Sequence, residues 1–591
     1  MRWCAALASV LLFVGCRGLA RVDRKIEREV AARAAELGGG ATAPRYRAGE
    51  AGPTDAPGEY SKDPRSINPG PQDIRYAGAE PTRDVLDRLD RYAATPANAR
   101  RMNLSDAFHQ AQQTAREYLT AEEEYVLAVI RLLIERHLWG PRFFDDLTVA
   151  YSAPSDDGDY NTALNVINEL RLTQRLPYGG AFEARLITEA VQQLTNIVGE
   201  QYTQASRLVL SAEIPLLRNA GLIAQEDLIQ AEREVVYSAR TFEDFRRSFL
   251  VDIARDFFSL LALKAVIRNQ EERLRSVTSF RERTEALVAA GREPPFQARN
   301  VAQNVLSSQN DLANSHEAYI LALDRFKVRL GLPVDQPVEL EESTLDLADP
   351  DITTGEAAEI ALRLRLDLQN SADRVDDARR GVANARNQLL PDLNAALTAA
   401  FNTNPDDSRA GLSFDLDQTD YLASVTFGLP LDREIERLNL RAAIIGLQQQ
   451  ARRLDQSRDE VVLEARRAVR EVDRSRFSLT LQEQAVQINE LRLEEIRIKS
   501  DEIDAQTRLD AENELLTSRN DRDRAVRDLR IAILEYLRTT GQLRVARDGQ
   551  FQPLRGMRVT TGAGDTPAAP PTSEPASAGQ PEPSGQPSPT Q

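Results

Sequence analysis

The chain has 591 residues, with 91 acidic against 74 basic side chains and a formal net charge of −17. Arginine and glutamate are interspersed, leaving no basic stripe to hold a nucleic-acid backbone, so nucleic acid is excluded as a partner. Aromatic residues are 6% and charged residues 28% of the chain, the makeup of long amphipathic helices sharing a thin core rather than of several thick globular domains.

The first residues read MRWCAALASVLLFVGCRG: Arg2, then an apolar run from Ala5 to Val14. The run is too short to span a bilayer and has the proportions of a signal-peptide core. Gly15 directly before Cys16 resembles the bacterial lipobox, although Phe13 stands where leucine is usual. That resemblance implies a signal peptide over residues 1–15 and a covalent lipid on Cys16, the one covalent group expected and no other cofactor. Arg17 after the cysteine is compatible with sorting to the outer membrane. The alternative is a plain secretory signal with an incidental cysteine. Cys4 and Cys16 are the only cysteines, and loss of Cys4 with the leader would leave no disulfide. No other segment reaches eighteen uncharged apolar residues, so a membrane crossing would have to be made by strands closed into a barrel.

Residues 17 to about 40 are charged and Ala-rich, predicting a helix, and the Pro/Gly/Asp-rich stretch that follows predicts a linker, so 16–82 form one N-terminal unit. Within 83–340 a helix is predicted from Leu104 to His137, capped by Ser105 and stopped by Pro141. Strands are predicted over 142–214. Among them ELRLTQRLPYGGAFEARL places Leu170, Leu172, Phe182, Ala184 and Leu186 in alternation about a Pro-Tyr-Gly-Gly turn, an additional hairpin within 164–190. Leu208, Leu210, Ala212 and Ile214 alternate up to Pro215, which opens a long helix. That helix turns near 291–296, at Gly291, Pro294 and Pro295, and a return helix ends at Gly331.

Within 341–548 the order recurs. A helix from Gly355 to Leu390, capped by Thr354, stops at Pro391. Strands follow over 392–429, then Pro430, a long helix, a turn near 500–505 and a return helix to Gly541. Residues 549–591 are Pro/Ser-rich and read as disordered. NVLSSQN from Asn304 and ELLTSRN from Glu514 fall in the same succession as Phe326 with Tyr536 and Gly331 with Gly541, so the body reads as one unit written twice.

Steps of three and four from Ile444 pass through Leu447, Ala451, Leu454, Val461, Ala465, Ala468, Val472, Leu479, Val486, Leu493 and Ile496. This is a coiled-coil seam in which alanine permits close approach. The strands alternate apolar and polar residues, which suits a wall between lipid and an aqueous lumen. Two hairpins cannot enclose a lumen, so several chains must share one barrel. The extra hairpin leaves the strand count per chain open. The fold class expected is therefore mainly α with a membrane β-barrel portion shared by a trimer, continuous with a long α-helical coiled-coil tunnel, in two internal repeats.

LSDAFHQA, LLPDL, LDRFKVRLGLP, the twin prolines Pro215 and Pro430 and the lipobox, in this succession, resemble the bacterial outer membrane efflux proteins of the TolC-like family over roughly residues 100–545. The resemblance implies a homotrimeric channel: a twelve-stranded barrel on a helical periplasmic tunnel. It also implies export with a periplasmic adaptor protein and an inner membrane transporter, in the outer membrane. Family tips close the tunnel through ion pairs and hydrogen bonds. Here Asp501 and Asp504, with Arg497 and Arg508, are the candidates beside the first tip at Gly291, Pro294 and Pro295. An acidic ring there would attract cations; an ordinary solvated helix end is the plainer possibility.

His109, His137 and His316 lie far apart, and no nucleophile elbow, phosphate loop or metal-binding spacing occurs, so no catalytic or metal site is expected. A lipid-anchored coiled-coil scaffold without a pore is the competing function. It has no use for apolar-faced strands in both halves. A periplasmic adaptor would need small β-domains that the sequence lacks. The cargo is left open.

Overall fold

The computed structural model describes residues 19–36, 99–153, 155–156, 159–160, 163–193, 202–341, 350–403, 412–498, 505–545 and 551–552. Helix α1 (Leu19–Glu36) precedes a short strand β1 (Arg100–Met102) and helices α2 (Leu104–Thr114) and α3 (Arg116–Leu138). Strands β2 (Arg142–Ser152), β3 (Ala163–Arg175), β4 (Ala181–Gln193) and β5 (Tyr202–Pro215) lead to helices α4 (Glu226–Ala289) and α5 (Pro295–Arg329). Strand β6 (Val338–Leu340) is followed by α6 (Thr354–Leu364) and α7 (Leu366–Asn387). Strands β7 (Asp392–Thr403) and β8 (Phe414–Gly428) then lead to α8 (Glu434–Ile498) and α9 (Ala505–Thr539).

The expected helices 104–137 and 355–390 are each broken. Ala115 (φ −66, ψ 124) separates α2 from α3, and Arg365 (φ −70, ψ 123) separates α6 from α7. The caps also sit one or two residues earlier than Ser105 and Thr354. Asn103 and Thr353 are the N-caps, each completing a capping box with Asp106 and Glu356, so two otherwise orphaned donors are satisfied reciprocally. The breaks are tertiary in origin. Gly331 (φ +72) lies so close under the first break that a Cβ there would be 2.1 Å from the Thr114 carbonyl oxygen, and the Thr114 hydroxyl donates to the Leu330 carbonyl at 2.6 Å. Gly541 (φ +71) approaches Leu364 at the second break in the same way.

The core gathers where α2, α3 and the middle of α4 meet the ends of α5 and α9. Phe108, Tyr125, Phe257, Phe326 and Tyr536 are almost completely buried there, and Tyr118 packs edge-on to Phe242 with ring centroids 5.8 Å apart. Parallel pairing of β1 with β6, Met102 opposite Leu340, closes this core at one side. α4 has 64 residues and α8 has 65, each roughly 95 Å long at about 1.5 Å per residue. In α8 the seam read from sequence is buried at Val461, Ala465, Val472, Val486, Leu493 and Ile496, with Val469 in addition.

All the long strands form one six-stranded antiparallel sheet in the order β8-β7-β5-β4-β3-β2. The additional hairpin is β3–β4, inserted between β2 and β5. The sheet therefore has six strands, against the four per chain that a trimer-shared twelve-stranded barrel requires.

Candidate functional site

The ladder registers sort the sheet into two unlike faces, because successive side chains on a strand alternate sides. One face carries Phe143, Leu147 and Val149 of β2, Leu170 and Leu172 of β3, and Leu186 of β4. It continues through Leu208 and Leu210 of β5, Leu397 and Phe401 of β7, and Tyr421, Val425 and Phe427 of β8. Asp145 is the one charged residue among these paired rows. Its carboxylate accepts from the Asn168 amide at 2.7 Å on the same face, near the helical margin of the sheet. Farther along, the polar Thr188 and Ser206 satisfy one another at 3.2 Å.

The opposite face carries Arg142, Asp146, Glu169, Arg171, Glu183, Arg185, Glu189, Arg207, Glu213 and Asp420. Several of its charges are partnered within the face. Arg171 is 3.7 Å from Asp146 and stacks over Phe144 at 5.2 Å, Arg185 is 2.9 Å from Glu183, and Asn394 donates to Glu213 at 3.1 Å. Large apolar side chains on the edge strands stand in the open: Leu147 is 66% exposed on β2 and Val425 70% on β8.

The four junction prolines fall at the sheet margin in two ways. Pro141 and Pro391 directly precede β2 and β7, and Pro430 lies two residues beyond β8. Pro215 was expected to open the helix. Instead it is the last residue of β5, paired with Asn394, and the sheet's final hydrogen bond runs from the Leu216 N–H to the Leu393 carbonyl at 2.7 Å. Proline lacks a donor but keeps its carbonyl, so a strand's last position tolerates it. A 3-10 turn, Gly221–Gln225, intervenes before α4. Both junctions lean on the end of α7: Arg218 donates to Gln388 at 2.8 Å and Arg433 to the Leu389 carbonyl at 2.6 Å.

Below the junctions, ion pairs clamp α4 to α7. Arg240 meets Asp373 at 2.6 Å and Arg380 meets Glu226 at 3.3 Å. The Tyr237 hydroxyl donates to Asp377 at 2.5 Å, and burial together with that carboxylate pushes its pKa up to about 12. At the second break, burial works against the charge on Arg365. Its bonds to Asp367 and Glu464 outweigh this and hold its pKa above the ordinary value. Burial likewise opposes the Asp367 charge, yet the Arg365 guanidinium holds that carboxyl below its usual range. Among the described residues no helix is long and apolar enough to cross a membrane, and no group of three or more His, Cys, Asp or Glu could hold a metal ion.

At the end remote from the sheet, a turn joins α4 to α5. α4 ends at Ala289, Gly291 takes φ +68, and Pro294 and Pro295 occupy the N-cap and first turn of α5, where a missing N–H costs nothing. Asp501 and Asp504 of the second tip lie outside the described residues, as do Cys16 and the tail. Arg497 is exposed in the last turn of α8. Arg508 does not stand beside it as a free tip charge. Its guanidinium lies 4.4 Å over the Phe280 ring of α4 and its Nε is 3.5 Å from Glu512, which also accepts from Ser276 at 2.8 Å. Arg519 adds a bridge from α9 to Glu272 of α4 at 3.1 Å and to Glu490 of α8 at 2.9 Å. These cross-links between the two helical hairpins were not legible in sequence, since the partners are more than 200 residues apart.

No known family pattern and no curated protein match the sequence. Solved structures do match in fold. The outer membrane protein VceC from Vibrio cholerae is 16% identical with a TM-score of 0.55, over 74% of this chain and 96% of that one. The Campylobacter jejuni CmeC outer membrane channel is 13% identical at 0.54, over 74% and 85%. The open-state Neisseria gonorrhoeae MtrE outer membrane channel is 13% identical at 0.52, over 74% and 88%. Mostly helical, with one sheet set at the end of paired long helices, this chain has the fold of the TolC-like outer membrane channels.

Proposed function

We propose that the chain is the outer membrane component of a tripartite export system, a passive gated conduit from periplasm to exterior and a member of the TolC-like family. The observation that carries this reading is the sheet: one face apolar, the other charged, and two edges that no other strand among the described residues pairs with. A lipid-facing and lumen-lining wall needs both faces, because an open edge in hydrocarbon leaves backbone groups unsatisfied. Closure then requires further copies, and the fold likeness supports a homotrimer. The helices agree with this. Phe477, Leu481, Ile488, Leu491 and Ile498 follow heptad spacing along α8 and are exposed in the single chain, a second seam suited to a neighbouring copy.

The helical part forms the periplasmic tunnel, and the tips with Arg497, Arg508, Asp501 and Asp504 form its gate. A periplasmic adaptor and an inner membrane transporter supply opening and energy. Cys16 carries the lipid. In support of a membrane-proximal N-terminus, α1 begins three residues after Cys16, buries Ile26 and Val30, and accepts from Arg136 near the sheet end of α3 through Glu29 at 2.8 Å. Purified full-length protein in planar bilayers tests the reading. A trimer with discrete ion conductance is expected; a monomer without conductance overturns it in favour of a pore-less scaffold.

A further inference from the structure

We propose that three copies of this chain close an eighteen-stranded barrel, with the hairpin β3–β4 as a built-in widening insertion and the edges β2 and β8 of successive copies as the closing seam. This rests on the trimeric channel reading above and goes beyond it in strand number and exit width.

The hairpin is an integral part of the sheet. β3 pairs with β2 from Ala163 to Thr173, and β4 pairs with β5 from Ala181 to Gln192, so β2 and β5 do not touch. Two strands were inserted together, which keeps every neighbour antiparallel and leaves the two edges running in opposite directions. Opposite edges are what a closed antiparallel ring of identical units needs, since β8 of one copy must run against β2 of the next. The edge strands have 11 and 15 residues, long enough to cross a bilayer when tilted. Their exposed Leu147, Val149, Tyr421 and Val425 extend the apolar band across the seam.

The hairpin also obeys the two-faced rule of the wall. Leu170, Leu172, Ala184 and Leu186 share the apolar face, while Glu169, Arg171, Glu183, Arg185 and Glu189 share the charged one. Its turn is keyed into the junction beneath. The Gly221 N–H donates to the Tyr178 carbonyl at 2.9 Å, and the Gln225 amide donates to the Pro177 carbonyl at 2.7 Å. Gly180 (φ +79) lies where a Cβ would be 1.8 Å from the Glu213 carbonyl oxygen. A loose flap outside the wall would need none of this fit.

Three copies of six strands give eighteen, and barrel diameter grows about linearly with strand number, so the exit is about 1.5 times as wide as a twelve-stranded one. Barrels of this size leave an open aqueous channel. The narrow part of the conduit is then the helical tunnel, and the Arg- and Glu-lined exit accepts any hydrated cargo that the tunnel passes.

The test pairs cysteines in the full-length protein, with molar mass and conductance measured on the same samples. Leu147→Cys is combined in turn with Tyr421→Cys, Ala423→Cys and Val425→Cys. One combination is expected to give disulfide-linked species up to trimer mass, as neither single variant does. Leu147→Cys with Ser206→Cys or Leu208→Cys, held about three strand spacings apart, is expected to stay reduced. An intramolecular disulfide in that second set, with trimer mass and conductance intact, overturns the eighteen-stranded barrel alone. A monomer without conductance overturns the channel reading beneath it. Imaging of the unmodified particle supplies a direct strand count: eighteen upholds the proposal and twelve overturns it.

Discussion

Gly331 lies beneath Thr114 so closely that its missing Cβ is what lets the end of α5 meet the break between α2 and α3, where a Cβ would stand 2.1 Å from the Thr114 carbonyl oxygen. Gly541 occupies the matching place beneath Leu364, with closest approaches of 3.0 Å. Gly291 has the same left-handed conformation but nothing within 4 Å. The three positions separate backbone strain from steric overlap.

Alanine at each glycine should therefore be graded. Gly291→Ala is expected to cost about 1 kcal/mol, the left-handed penalty of a residue bearing a Cβ. Gly541→Ala should cost more, and Gly331→Ala the most, about 3 kcal/mol or above, because the overlap there is with backbone that cannot rotate away. Thermal unfolding of the three variants in detergent checks the order. Equal losses at Gly291 and Gly331 would mean that the α5 end is not seated against Thr114.

Glu243 is the counter-charge for two buried guanidiniums, Arg246 at 2.9 Å and Arg247 at 2.8 Å. Glu243→Gln removes a carboxylate charge from beside two buried guanidiniums, and a loss of about 3 kcal/mol is expected. Chemical denaturation measures it. A loss below 1 kcal/mol would show that water reaches the pair.

Burial raises the Asp244 carboxyl above its usual range, with Asp367 acting in the same direction against Arg538, Arg365 and Arg247. Between the ordinary carboxylate value and this raised one, the folded chain holds a proton that the unfolded chain has released. Ionisation therefore works against folding once pH exceeds both values. Asp244→Asn should raise the melting temperature at neutral pH, and the advantage should vanish as pH falls below the ordinary carboxylate range. A pH series of melting curves for both proteins decides this, and a difference that grows on acidification would contradict it.

Arg508 ties α9 to Phe280 of α4 near the tips. If the tips gate the channel, Arg508→Ala should loosen the two hairpins and raise single-channel conductance or open probability several-fold. Arg508→Lys, which keeps the charge and part of the cation–π contact, should do so less. Unchanged traces from both variants would place the gate elsewhere.

The local signals in the sequence were good guides where contacts are local. Proline and glycine marked the first tip at Gly291, Pro294 and Pro295, alternation marked both faces of the strands, and heptad steps marked the buried line of α8. The hairpin about Pro177-Tyr178-Gly179-Gly180 was legible for the same reason, since its strands are adjacent in the chain. The helix breaks at Ala115 and Arg365 were not. Neither position carries a breaker, and the wedge that splits each helix arrives from a glycine some 200 residues away. The cap positions shifted for a smaller reason: Ser105 and Thr354 can cap, but Asn103 and Thr353 have an acidic residue three positions on and complete the reciprocal bond.

By itself the sequence determined the periodicities, and with them a chain of long helices and two-faced strands, because apolar spacing of 3.5 or 2 residues leaves each element one way to bury its apolar side. The tertiary structure decided what periodicity cannot encode. It placed β3–β4 between β2 and β5 rather than outside the sheet, kept Pro215 in the ladder, and drew Arg508 onto Phe280. Those outcomes depend on hydrogen bonds and ring contacts between segments distant in the chain, whose geometry exists only once the whole wall is assembled.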